Sequence, residues 1–171
     1  KVGAEVSVTF ESESAGFHNT FGYFIEGTDE AGIIFADLDE TTLAPGTVET
    51  LDLTAIPYEK LEFFLIPDGA TKNAGLFSDL DAIDLAVETV NGVLQARDQT
   101  TGTVLEGSVN PVYMPATPDN PAAIRHALKI GDLDDYALGW EDLPGVGIAD
   151  YDDAAISVAI TPDTVPDTVL V

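Results

Sequence analysis

Apolar residues recur at every second position along much of this chain. In residues 5–11, EVSVTFE, Val6, Val8 and Phe10 alternate with acids and hydroxyls, the pattern of a strand with one buried face. Short β-rich runs follow at residues 21–26, 32–36, 47–53 and 61–66, broken by Gly, Pro and Asp. Residues 86–96, AVETVNGVLQA, predict a hairpin, because Asn91-Gly92 supplies the two positive-φ residues a type I′ turn requires. Further strands are expected at residues 103–106, 112–114, 127–130 and 155–160. Many short strands punctuated by turns predict an all-β domain, a β-sandwich or jelly roll with long acidic loops.

Helix signals are sparse, and at most one or two short helices are expected. Leu76, Leu80, Ile83 and Val87 have helical spacing, although the acids between them suit a loop equally well. Pro121 follows Asn120 as a first helical residue follows its cap, which suggests one turn near His126. Residues 162–165 and 166–169 repeat Pro-Asp-Thr-Val, so residues 1–160 are read as a single β domain and 161–171 as a linker toward a following domain.

Length and apolar content permit a sizeable core: 171 residues, 45% of them hydrophobic. Charge is the unusual feature. The chain has 31 acidic and 6 basic residues, a net of −25. That field repels nucleic acids and anionic membranes, and apolar runs are only strand-sized, so neither nucleic acid nor membrane insertion is expected. Cysteine is lacking, which excludes disulfide stapling and zinc–thiolate sites. Hard oxygen ligands are what the chain has in quantity, and they suit calcium. The first residue is Lys1, consistent with a module of a longer protein.

The acids are clustered. Residues 132–153, DLDDYALGWEDLPGVGIADYDD, hold eight carboxylates. Two carboxylates about 4 Å apart repel by roughly 4 kcal/mol at an effective dielectric near 20, so such a cluster needs a cation, protons or much water. Asp-Leu-Asp occurs three times, at residues 37–39, 79–81 and 132–134. In an extended segment positions i and i+2 share a side, so each triplet presents two carboxylates while its leucine is expected to anchor the loop. For Asp37 and Asp39 an exposed acidic turn is the better reading. An EF-hand starting at Asp132 fails, since Ala137 and Leu143 stand where glycine and glutamate are required. One imperfect nonapeptide at residues 145–150 cannot make a β-roll.

The run Gly139-Trp-Glu-Asp-Leu143, then Gly145, Gly147 and Asp150-Tyr-Asp-Asp153, resembles the E-D-L…G-G-D-x-D-[FY]-N-D signature of a bacterial domain-of-unknown-function family. That family occurs in secreted and cell-surface proteins, notably calcium-dependent repeats-in-toxin (RTX) adhesins. Residues 15–23, AGFHNTFGY, are similar to its N-T-[LF]-G-x-Y opening, and residues 61–69 and Asn120-Pro121 followed by His126 fit as well, so the resemblance spans residues 15–160. The chain departs from the pattern at Gly147-Ile148, where an acidic ligand is missing, and at Asp152, where asparagine is usual. The resemblance implies calcium ligation by Glu141, Asp142, Asp150, Asp152 and Asp153. Local chemistry alone adds Asp132, Asp134 and Asp135, and several ions are expected.

The expectation that follows is a calcium-dependent ligand-binding module of a large secreted bacterial adhesin, displayed at the cell surface and flanked by other domains of the same chain. Its partner would be a peptide or protein on another cell, with a glycan as the variant. Tyr136, Trp140 and Tyr151, interleaved with the acids, are candidate ligand contacts, although core packing accounts for each equally well. A calcium-stiffened spacer is the alternative. Catalysis is not expected: His18 and His126 are the only histidines, both read as structural, and no hydrolase or phosphate-loop motif is present.

Overall fold

Val6, Val8 and Phe10 lie on one face of β1 (Ala4–Glu13), and all three are fully buried. The computed structural model describes residues 3–53, 58–108, 112, 125–143 and 150–163. Within them the chain is all-β. A five-stranded antiparallel sheet has the order β4-β1-β10-β9-β8, formed by β1, β4 (Val48–Asp52), β8 (Ala127–Gly131), β9 (Asp135–Trp140) and β10 (Ala154–Pro162). A second sheet has the order β3-β2-β5, from β2 (Thr20–Ile25), β3 (Ala31–Phe35) and β5 (Leu61–Ile66).

The two sheets share one core. Phe10, Leu138, Trp140 and Ile156 from the larger sheet meet Phe21, Phe35 and Phe63 from the smaller. Rings pack in series: Phe21 stacks on Phe63 at 5.5 Å and takes the edge of Trp140 at 5.8 Å. The smaller sheet is covered on its other side as well. There Phe64 and Ile66 pack against the hairpin of β6 (Leu85–Val90) and β7 (Val93–Asp98). Burial on both faces explains why β5 reads LEFFLI without clean alternation. The hairpin turn matches expectation, with φ of 54° at Asn91 and 79° at Gly92.

Several expectations are corrected. Leu76, Leu80, Ile83 and Val87 do not share a helix: a 3-10 turn at Leu80–Ala82 ends before Val87 enters β6, because pairing with β7 takes that segment into a strand. Residues 103–106 contribute one isolated bridge, from Val104 to Arg97, rather than a strand. Three elements went unforeseen, a 3-10 turn at Tyr58–Lys60, the single turn α1 (Gly69–Lys72) and strand β9. Strand β10 continues through Pro162, two residues past the expected domain end at 160. Residues 113–114, 121–124 and 164–171 lie outside the described set.

Strand ends divide the sandwich into two poles. Glu13, Thr20, Phe35, Ile66, Trp140 and Ala154 end or begin their strands at one pole, while Ala4, Ile25, Gly131, Asp135 and Pro162 do so at the other.

One glycine is fixed by close approach. Gly22 of β2 lies opposite Phe64, and an added Cβ would fall 2.3 Å from the ring and 2.6 Å from the Gly32 carbonyl. Gly22→Ala is therefore expected to lower stability by about 1–3 kcal/mol in urea unfolding, whereas Gly75→Ala, which meets no atom, should stay within about 0.5 kcal/mol.

Candidate metal centre

Trp140 sits in a cross-strand row with Ala127 and Ala154, and small neighbours on both sides leave room for its indole. It is fully enclosed, which pins the end of β9. The next two residues are Glu141 and Asp142, delivered at the rim of the core. His126, itself fully buried, holds Glu141 by the backbone in both directions. The Glu141 amide donates to the His126 carbonyl at 2.9 Å, and His126 Nδ1 donates to the Glu141 carbonyl at 3.1 Å. Burial pushes the His126 pKa down, so the ring is a neutral structural donor.

The segment that opens β10 returns over Gly139. A Cβ there would lie 2.5 Å from the Tyr151 carbonyl, so glycine at this point lets residues 151–153 close on β9. Tyr151 turns the chain with a φ of 58°. Asp153 is then tied in by its amide to the Trp140 carbonyl at 3.1 Å, and its Oδ2 accepts the Asp142 amide at 2.8 Å.

Glu141, Asp142 and Asp153 thus converge, with one ligand oxygen from each within 4.8 Å of the others. Glu141 is 7% and Asp142 2% exposed. Asn19, fully buried, donates from Nδ2 to Asp142 Oδ2 at 2.8 Å and accepts the Asp68 amide at 3.0 Å, fixing the centre to the smaller sheet. Desolvation first, then the charge of Asp153, raises Glu141 to about 7. Desolvation likewise raises Asp142 to about 6, against the lowering effect of Asn19. The Asp153 carboxylate beside them disfavours a second and third negative charge, which adds to the upward push on both. Three hard oxygen donors, two of them on buried residues, are a donor set that could hold a hard metal cation, with remaining positions left to carbonyls and water.

Glu13 was missed by sequence reasoning. A β-bulge between Phe10 and Ser12 inserts one residue, which reverses the alternation and sets Glu13 opposite Ala154 on the inward side. Its Oε1 is buried without a hydrogen bond among the described residues, and its charge pushes Asp142 up. Nearby, His18 Nδ1 faces both Asp37 oxygens at 3.1 Å and Asp39 at 3.4 Å, and Asp37 first among them raises its pKa. Asp37 and Asp39, expected as an exposed acidic turn, are half-buried and hold this histidine.

The other candidates separate. Asp150 is exposed near the centre and raises Glu141 from a distance, and Asp152 accepts Ser14 Oγ through its backbone carbonyl. Asp132, Asp134 and Asp135 lie in the β8–β9 turn at the opposite pole, about 20 Å away by strand rise, and cannot join the same ion. Leu133 there is 82% exposed, so its triplet is not anchored; of the three leucines only Leu38 is fully buried, while Leu80 is exposed. Trp140 is enclosed in the core, Tyr136 is buried at the opposite pole with its ring beneath Lys129, and of the three aromatics Tyr151 alone keeps an accessible surface at the carboxylate pole. Comparisons with family models, curated proteins and solved structures gave no match to the chain.

Raised carboxyl pKa values mean that the folded state holds protons the unfolded chain releases. Their stabilising contribution is complete below the ordinary carboxyl range and is lost as pH rises toward 7. In chelator, the urea midpoint is therefore expected to fall between about pH 4.5 and pH 7, and Asp142→Asn should flatten that slope. A midpoint rising over the same interval would contradict the assignment.

Proposed function

We propose that this domain is a calcium-dependent ligand-binding module of a large secreted bacterial adhesin of the RTX kind, with a peptide or protein on another cell as its partner. The observation that carries the reading is the convergence of Glu141, Asp142 and Asp153, two of them buried, at the pole where the loops gather. A cation there offsets the mutual repulsion of the three carboxylates, and a coordination position left to solvent is a receptor for a carboxylate that the net charge of −25 otherwise repels. Asp153 and Tyr151 are the partly exposed groups at that position.

Chain geometry supports presentation of this pole. Ala4 pairs with Pro162 and the Asp163 amide donates to the Gly3 carbonyl at 3.0 Å, so the chain enters and leaves at the pole opposite the carboxylates. A module joined at one end projects its other end outward. The likeness of the E-D-L…D-Y-D-D run to the adhesin signature supports the same reading, as does an acidic surface without a basic patch for nucleic acid.

One observation favours a calcium-stiffened spacer as the second reading: Glu141 and Asp142 are almost wholly enclosed, which suits an ion that staples rather than one that binds partners. Peptide and glycan arrays probed in calcium and in chelator separate the two. Chelator-sensitive peptide hits are expected; an array silent in both conditions, beside a melting temperature that drops on chelation, would leave only the spacer.

Gly139→Ala removes no ligand but drives the Tyr151 carbonyl off β9. It is expected to weaken calcium binding in isothermal titration about as severely as Asp153→Asn, and saturating calcium at a hundred times the dissociation constant should stabilise the parent domain by about 2.7 kcal/mol.

A further inference from the structure

At the pole opposite the carboxylates, a cleft of ≈ 290 Å³ opens between β5 and the β8–β9 hairpin. Both flanking strands, β5 and β8, are the outer strands of their sheets in the described residues. The floor is apolar, made by Leu61, Phe63, Leu138 and Ile160. Around it stand Glu59, Glu62 and Asp134 against one cation, Lys129, so the lining carries three carboxylates to one ammonium. Leu133, in its lining, is 82% exposed, an apolar margin on an otherwise acidic surface.

Lys129 shows what the cleft accepts. It pairs with Leu138 across the ladder and so points toward the core at the sheet edge, laying its Nζ 3.5 Å from the centre of the Tyr136 ring. Burial lowers its pKa and raises that of Glu62, while the two attract each other, as expected for an ammonium held in a partly dry, acid-lined site. An inward charge on an outer strand also discourages another strand from pairing there. The cleft therefore suits a side chain entering end-on, and its volume suits one such group rather than a whole peptide.

We propose that this cleft is a second binding site, independent of calcium, which takes the lysine or arginine side chain of a partner peptide. The aliphatic stem of that residue lies on Leu61, Phe63 and Ile160, and its single positive charge is shared between Glu62 and Asp134. Lys129 is then an internal competitor that the incoming cation displaces from Tyr136.

The probe is acetyl-Leu-Lys-Leu-amide, followed by amide and methyl chemical shifts of the whole domain, with acetyl-Leu-Glu-Leu-amide as its counterpart. The lysine peptide is expected to shift Leu133, Tyr136 and Ile160 in chelator and in calcium alike. Glu62→Gln and the exposed Asp134→Asn should each weaken it about three- to tenfold, and Lys129→Met should tighten it. Should Glu62→Gln fail to fold, Asp134→Asn still tests the acidic rim. Failure of the lysine peptide to shift these residues overturns the proposal, and so does a glutamate peptide that binds only while Lys129 is present. Loss of binding on chelation would return the site to the calcium centre. Because a positive result in chelator needs no ion, this cleft and the calcium reading stand or fall separately.

Discussion

Enclosure of Trp140 between Ala127 and Ala154, against the ring of Phe21, is the contact on which the carboxylate pole depends. The indole locks β9 in register with both neighbours and joins the two sheets at their shared edge. Everything chemically notable follows within a few residues. Glu141 and Asp142 leave the strand while still against the core, and Asp153 arrives as β10 begins beside the same tryptophan. Losing that indole would empty one of the largest buried positions and release the residues that keep three carboxylates together.

Desolvation and like charge act in the same direction at this pole, and the protein answers them with specific donors. Asn19 neutralises part of the cost by giving Asp142 a buried hydrogen bond, and backbone amides serve Asp153 and Glu141. His18 performs a similar service for Asp37 and Asp39, closer to water. At Glu141, Asp142 and Asp153 the partners are an amide side chain and backbone amides, which position the oxygens without supplying a positive charge, so protons or a metal ion must complete the balance.

Alternation made most strands legible, and it made β9 legible too in retrospect: Tyr136, Leu138 and Trp140 occupy every second position of DYALGW. The surrounding acids drew attention to the loops instead, so the strand that carries Tyr136 and Trp140 was not foreseen. Helical spacing at residues 76–87 was local coincidence, overridden by a hairpin whose partner strand is separated from it only by the Asn91-Gly92 turn. Glu141, Asp142 and Asp153 were visible because they are near in sequence. Asn19 lies 123 residues from Asp142, and Glu13 reaches the centre only because a bulge reverses the face it presents, so neither could be found from spacing. Conversely, Asp132, Asp134 and Asp135 were grouped with the centre by proximity along the chain, which a straight strand converts into distance.

The adjacency of Ala4 and Pro162 has a mechanical side. Force applied through those two residues loads the β1–β10 ladder at one end, so its hydrogen-bonded pairs part in succession, as in a zip, instead of sharing the load in shear. Rupture then travels from Ala4 and Pro162 toward Glu13 and Ala154. The carboxylate pole is reached last, so the arrangement of Glu141, Asp142 and Asp153 outlasts the first yielding of the loaded strands.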